Sequence, residues 1–149
     1  MRNFGIQVVK FLAPFCAIII MVSVSSSANA DPIKDRRAIM KAVASANKNI
    51  RDAAKRGDIS AAIENAKSLV EQAEKFLSLF PPGTGRDKLD PRLTRSKPEI
   101  WSNWEEFKSA NAAMISAARV VMKGDMSGVP EVGGTCAGCH RNFRGAKVR

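Results

Sequence analysis

Apolar and small residues recur at helical spacing along most of the chain after residue 30. Over residues 33–55, 58–80 and 96–124 they are separated by steps of three and four, the period of one face of an α-helix. A fourth, shorter stretch follows Gly128 and Pro130. No alternating run typical of strands and no internal repeat accompanies them. The pattern predicts an all-α fold, an antiparallel four-helix bundle.

Capping and breaking residues predict where the first two helices end. Gly57 closes the first helix, because glycine readily adopts the backbone conformation that ends a helix. Asp58 or Ser60 caps the second helix, which runs to about Phe80. Three residues that oppose helix, Pro81-Pro82-Gly83, follow it directly.

The third helix is preceded by the longest loop of the chain. Residues 81–97 are rich in Pro, Gly and charge, and are long enough to form a crossover or a flap. Ser96 with Glu99 three residues later predicts a capping box, and Pro98 is tolerated in the first turn. Gly124 is the predicted end of this helix.

The inner faces of the predicted helices carry few large side chains. Trp104, Phe107 and Phe143 are the aromatic residues expected there, and many other inner positions are alanine. A bundle lined by alanine contains free space between its helices. A large flat group is the kind of ligand that would fill it.

The first 30 residues have the layout of a cleaved secretory signal. Arg2 and Lys10 supply the positive start, residues 11–24 are almost wholly apolar, and Ala28-Asn29-Ala30 ends the segment. The alternative is an uncleaved anchor, but a spanning helix needs roughly 20 apolar residues. We therefore expect cleavage after Ala30, leaving an exported domain of residues 31–149 with no spanning segment.

Charge and histidine content restrict the functions that this domain can have. Lys and Arg total 24 against 14 Asp and Glu, a formal net charge of +10. Such a balance favours a partner with an acidic surface or anionic membrane headgroups, while export and the lack of a basic-aromatic pattern argue against nucleic acid. A single His excludes every site that needs two imidazoles from one chain, including the usual His-rich zinc enzymes.

The motif Cys136-Ala137-Gly138-Cys139-His140 carries the candidate chemistry, because CxxCH is the attachment signature of c-type haem. Each thiol adds to one of two neighbouring vinyl groups. Positions 136, 139 and 140 share one helix face, so the imidazole reaches the iron from one side. A redox-active CxxC motif is disfavoured, because no sheet is predicted that could support a thioredoxin-like fold. A zinc site is disfavoured, because the predicted mature chain has no further Cys or His to serve as the fourth ligand. One covalently attached haem c per chain is predicted.

Beyond this motif, the chain resembles the cytochrome c-prime family, the class II cytochromes c. The matching elements are CAGCHRNFR (136–144), RRAIM (36–40), LFP (79–81) and KPEIW (97–101), which together span essentially the whole predicted mature chain. The resemblance implies a left-handed up-down-up-down bundle with the haem between its helices. It also implies His140 as the proximal iron ligand and an exported, usually periplasmic, location.

The resemblance implies roles for three further residues. Arg36 matches an arginine near the haem propionates, and Arg144 matches a basic residue beside the proximal imidazole. Met40 matches the distal position, where low-spin members have a methionine ligand and carry electrons. Five-coordinate members have an apolar side chain there and bind small gases such as nitric oxide. Because methionine also fills gaps in cores, helical spacing alone does not separate these two cases.

Electron transfer with Met40 as the sixth iron ligand is the favoured function, and nitric oxide binding is the alternative. With one His, and Glu131 as the only carboxylate beside the motif, the sequence predicts no enzyme activity. A redox partner with an acidic surface is expected. Members of the family often dimerise through the first two helices, and the face containing Ile59, Ile63 and Val70 is the candidate for such a contact.

Overall fold

The computed structural model describes residues 31–148. Its four long helices are α1 (Pro32–Lys55), α2 (Ile59–Phe76), α4 (Trp104–Met122) and α5 (Gly128–Phe143), with a single-turn helix α3 (Glu99–Ser102) before α4. A short 3-10 turn, Leu77–Leu79, extends α2. Contacts are extensive between α1 and α2, between α2 and α4, and between α4 and α5. The predicted all-α four-helix bundle is confirmed.

The structure confirms three predicted helix boundaries and shows the local chemistry that causes them. The carboxylate of Asp58 accepts a hydrogen bond from the backbone N–H of Ala61 at 2.9 Å, as an N-cap should. Gly57 and Gly124 have positive φ values, 71° and 84°, at the ends of α1 and α4. A side chain would be strained in this backbone conformation, so glycine ends both helices where the sequence predicts.

Replacing Asp58 by alanine removes this cap, and we expect the free energy of unfolding to fall by about 1 kcal/mol. The cause is the Ala61 N–H, which then loses its protein acceptor at the start of α2. Urea unfolding followed by far-UV circular dichroism measures the change. Asp58→Asn is the matched control, because the amide oxygen still caps. Equal losses in both variants would contradict the cap as the cause.

The predicted start of the third long helix is wrong in two respects. α3 begins at Glu99 with no side-chain cap, and the hydroxyl of Ser96 instead accepts a hydrogen bond from Arg36 at 2.7 Å. Asn103 then breaks the helix, with φ −121° and ψ 48°, so one predicted helix becomes α3 and α4. α5 also begins earlier than expected and includes Pro130, because proline fits the first turn of a helix.

The core has two parts of different composition. The small-residue core lies along α1, α2, α4 and α5, where seven buried alanines surround side chains such as Ile50 and Leu69. The aromatic cluster consists of Phe76, Phe80, Ile100, Phe107 and Phe143. Phe76 was not expected on the inner face of the second helix, while Trp104, which was expected to be an inner side chain, is only half-buried.

The loop after α2 is fastened to the carboxyl-terminal tail. Gly145 and Arg95 exchange two hydrogen bonds, from Gly145 N to Arg95 O at 2.7 Å and from Arg95 Nε to Gly145 O at 2.8 Å. The N–H of Lys97 donates to the carbonyl of Phe143 at 3.0 Å. The loop of residues 80–98 is therefore held beside the end of α5.

Across residues 31–148, no helix combines the length and apolar character that crossing a membrane requires. The predicted secretory signal, residues 1–30, lies outside the described residues. Its cleavage after Ala30 stays a prediction.

Candidate cofactor site

A cavity of about 790 Å³ lies between α1 and α5 and reaches α4. α1 and α5 touch each other much less than the helix pairs that form the rest of the bundle. The volume lies within the range of about 300–1,000 Å³ that is usual for sites of small molecules and cofactors. The space that the alanine-rich helices were expected to leave is therefore present, and it is concentrated between these two helices.

The structure brings all six candidate residues of the sequence to this one cavity. Its lining includes two residues of α1, three of α5 and one that directly follows α5: Arg36, Met40, Cys136, Cys139, His140 and Arg144. The first and the last part of the chain thus contribute to the same site.

The two thiols lie on the cavity wall at the boundary between the two parts of the core. Cys136 packs against the small-residue core and Cys139 against the aromatic cluster, and both are unpaired and half-buried. The thiol of Cys136 donates to the thioether of Met114 at 3.7 Å. Burial raises the pKa of both thiols, that of Cys139 to about 11 with a further contribution from Cys136.

His140 stands among positive charges at the end of α5. The side chain of His140 is exposed to solvent on one side, and its partial desolvation by the cavity wall is the main cause that lowers the pKa of the imidazole, with Arg144 and Arg95 lowering it further. A lowered pKa favours the neutral ring, whose unprotonated nitrogen is the form that binds a metal ion. The environment of His140 therefore suits a metal ligand.

Met40 is half-buried on α1, one turn before the buried Val43. Its side chain packs against both the small-residue core and the aromatic cluster, and it lines the cavity. Met40 and His140 therefore reach the same space from two different helices.

Arg36 has a structural role that sequence reasoning missed. The residue is 5% exposed, and its guanidinium donates to the carbonyl of Pro32, the hydroxyl of Ser96 and the carbonyl of Thr84, at 3.0, 2.7 and 3.3 Å. It also lies 4.6 Å from the ring centroid of Phe80. Burial is the main cause that lowers its pKa, and Asp31 opposes this. Arg36 therefore ties the loop to α1 at the wall of the cavity.

Two buried amides on the cavity wall were not singled out as site residues. Asn47 on α1 and Asn111 on α4 are 8% and 5% exposed. Asn111 donates to the carbonyl of Ala73 at 3.0 Å, while the side-chain oxygens of both residues have no hydrogen-bond partner among the described residues. The sequence did contain a signal that could have identified these two residues, because each is an asparagine at an otherwise apolar inner position of its helix.

The sequence profile of the family described as Cytochrome C' matches residues 31–144. The chain belongs to this family. A cytochrome c' from Rhodopseudomonas palustris is 27% identical over 147 residues, which cover 91% of this chain and 97% of the relative. The resemblance predicted from the haem motif and the helical elements is therefore confirmed.

Solved structures of the cytochrome c' family share the fold. The cytochrome c' of Rubrivivax gelatinosus superposes with a TM-score of 0.64 at 26% identity, covering 76% of this chain and 94% of the other. A variant of cytochrome c prime from Alcaligenes xylosoxidans, solved as a nitric oxide complex, gives a TM-score of 0.65 at 22% identity, covering 78% and 95%. At that identity the second comparison shows the fold alone.

Members of the cytochrome c' family carry covalently attached haem c, and the cavity suits that group. It offers two unpaired thiols on one helix face, an imidazole whose pKa is lowered, and walls built mainly of apolar side chains. The chemistry of this donor set therefore agrees with the cofactor of the family.

Proposed function

We propose that this cytochrome c' family protein is a periplasmic one-electron carrier. In this proposal Cys136 and Cys139 hold the haem through thioethers, His140 is the proximal ligand and Met40 is the sixth ligand. The observation that supports it is that Met40 lines the same cavity as the CxxCH face while standing on a different helix. Haem c, when bound, supplies a reversible one-electron couple.

Each residue of this chain has a defined task in the proposed carrier. The two thioethers fix the orientation of the ring edge against α5. His140 would bind the iron through its neutral nitrogen, and a bond from the thioether of Met40 would raise the reduction potential and leave no free position for small ligands. Arg36 and Arg144 supply positive charge near the propionates and beside the imidazole. The role of this protein is then to bind and orient the cofactor, not to catalyse a reaction on a substrate.

Nitric oxide binding at an open distal site is the second candidate. The observation that favours it is the packing of Met40 against both parts of the core, which is what a gap-filling side chain also does. A neighbour that shares the fold was solved as a nitric oxide complex. The two candidates differ in whether the sulfur of Met40 bonds to the iron.

The optical spectrum of the holoprotein, with and without carbon monoxide, separates the two candidates. We expect sharp low-spin bands, a methionine–iron charge-transfer band near the red edge and no response to carbon monoxide. Met40→Leu should lose that band, become high-spin and bind the gas, because leucine has no donor atom. Met122→Leu is the matched control, since Met122 packs against the core without lining the cavity. High-spin bands in the unaltered protein would overturn the carrier proposal.

The proposal also includes a homodimer formed through α1 and α2. In a homodimer formed through α1 and α2, Val70 could not take part, because it is buried in the small-residue core. Ile63 is half-buried, so Ile59, which is 48% exposed, is the apolar side chain that this face offers. Sedimentation velocity of the holoprotein measures whether it dimerises.

A further inference from the structure

Positive charge surrounds the cavity, and no acidic residue of the described chain lines it. Eight cationic residues contribute to its wall: Arg36, Arg37, Lys41, Arg51, Arg92, Arg95, Arg144 and Lys147. Most of these side chains are exposed, which places their charge where the cavity meets solvent. A haem brings two propionates, which neutralise only a part of this charge. The mouth of the cavity therefore remains strongly cationic in the holoprotein.

The cations at the cavity differ from those elsewhere in how they are paired. Within residues 31–148, Arg92 is the only one of the eight in an ion pair, with Asp90 at 2.7 Å. Away from the cavity, pairs such as Lys67 with Glu64 and Arg119 with Glu74 neutralise charge along α2 and α4. Seven of the eight cations at the cavity thus have no ion-pair partner within the described chain.

Two exposed aliphatic side chains lie within this cationic surface. Leu93 is 52% exposed and Val148 is 42% exposed, and both line the cavity. Arg37 donates to the carbonyls of Arg92 and Leu93, which holds this part of the loop against α1. Elsewhere in the described chain, Ile59 is the one large hydrophobic side chain with comparable exposure. An apolar contact surrounded by charge is the usual composition of a protein docking surface.

We propose that this surface is the docking site for an acidic surface of a redox partner protein. We call it the cationic rim and define it by Arg37, Lys41, Leu93, Lys147 and Val148. The cations steer the encounter and the two aliphatic side chains exclude water at the contact. The inference rests on the proposed carrier function. The partner's reduced centre loses one electron to the ferric iron, and neither a proton nor an atom is transferred.

An acidic protein fits the cationic rim better than an anionic membrane surface does. Helices that lie on membranes bury a continuous apolar face between the lipid headgroups. Here the exposed apolar side chains number two, and they stand on a loop and on the tail after α5. They flank the mouth of a cavity, so a protruding surface of a folded partner matches their arrangement.

Stopped-flow reduction of the ferric holoprotein by a small acidic plant-type ferredoxin tests the cationic rim. The first variant is Lys41→Glu with Lys147→Glu, and its control is Lys55→Glu with Lys123→Glu, which changes net charge equally away from the cavity. Neither Lys41 nor Lys147 donates a side-chain hydrogen bond within the described chain. Leu93→Ser with Val148→Ser, compared with Ile59→Ser, tests the apolar contact.

We expect the rim charge variant to lower the second-order rate constant on the order of ten-fold at low ionic strength, and the control to lower it less than two-fold. The difference should vanish at about 0.5 M salt, because screening shortens the range of the charges. We also expect the apolar variant to lower the rate constant several-fold at both ionic strengths, with no change in Ile59→Ser. A small uncharged reductant should reduce all variants at the same rate, because surface charge does not steer it.

Failure of the docking inference can be distinguished from failure of the carrier function. Equal losses in the rim and control variants, with normal reduction by the uncharged reductant, would overturn the docking site and leave the carrier function standing. A high-spin, gas-binding spectrum in the unaltered protein would overturn the carrier function, whatever rate constants the rim variants give. Binding to phosphatidylserine vesicles that only the rim variants lose, with unchanged ferredoxin rates, would assign the surface to a membrane and overturn the inference.

Discussion

A protein in which Cys136 and Cys139 are both replaced by serine will release its haem into acidified organic solvent, whereas the unaltered protein will retain it. Serine has nearly the shape of cysteine but forms no thioether with a vinyl group. Both thiols are half-buried on the cavity wall and neither forms a disulfide. The third cysteine of the chain, Cys16, lies in the predicted signal. The covalent bond therefore depends on these two sulfurs alone.

The single variants give this experiment its internal comparison. Cys136→Ser and Cys139→Ser each leave one thioether, so most of the haem should stay with the protein in acid solvent. Mass spectrometry of the purified chains, with the haem absorbance of the solvent fraction, measures the result. Retention of haem by the double variant would contradict attachment at CxxCH. Complete loss from one single variant would show that the bonds form in an obligatory order.

The second large effect is expected at Phe107, in the centre of the aromatic cluster. Replacing it by alanine should lower the free energy of unfolding of the holoprotein by about 3–5 kcal/mol. Phe107 is 2% exposed, and its ring centroid lies 4.8 Å from that of Phe80 and 5.1 Å from that of Phe143. The ring of Phe76 on α2 lies 6.0 Å away, so removing Phe107 takes contacts away from α2, from the segment that follows it and from α5 together.

Denaturant unfolding of the holoprotein, followed by far-UV circular dichroism, measures this loss. Phe107→Leu is the matched control and should lose much less, because leucine fills most of the same volume. A loss below about 1 kcal/mol in Phe107→Ala would mean that the neighbouring rings close the space and that the cluster does not hold α5.

Phe107 also connects the stability of the bundle with the geometry of its site. Phe143 stands three residues after His140 on α5 and packs edge-to-face against the ring of Phe107. This contact fixes how far α5 is rotated and translated relative to α4. The position of the imidazole in the cavity therefore depends on an aromatic contact that no haem-binding motif includes.

The fold class and the haem-binding motif could be predicted from the sequence, because both depend on interactions between residues that are close together along the chain. Helical periodicity, the Asp58 cap and the glycines at positions 57 and 124 act over one or two turns, and the structure contains each of them. The spacing in Cys136, Cys139 and His140 likewise follows from the geometry of a single helix. Such features need no knowledge of which segments meet in space.

The errors lie where distant segments compete for the same group. Ser96 was expected to cap its own helix, but Arg36, sixty residues earlier, takes its hydroxyl as an acceptor. Asn103 breaks the predicted third helix, and Phe76 joins an aromatic cluster with Phe143. These outcomes depend on partners far away in the sequence, which periodicity does not identify.

By itself, the sequence determined the helical class, most helix ends and the haem-binding motif, because each depends on residues that are close together along the chain. Only the tertiary structure decided that Met40 and His140 line one cavity and that unpaired cations and two aliphatic side chains surround its mouth. It also decided that Arg36 fastens the loop to α1. The physical reason is that burial and charge neighbourhood arise from the packing of helices, and that packing sums contacts over the whole chain.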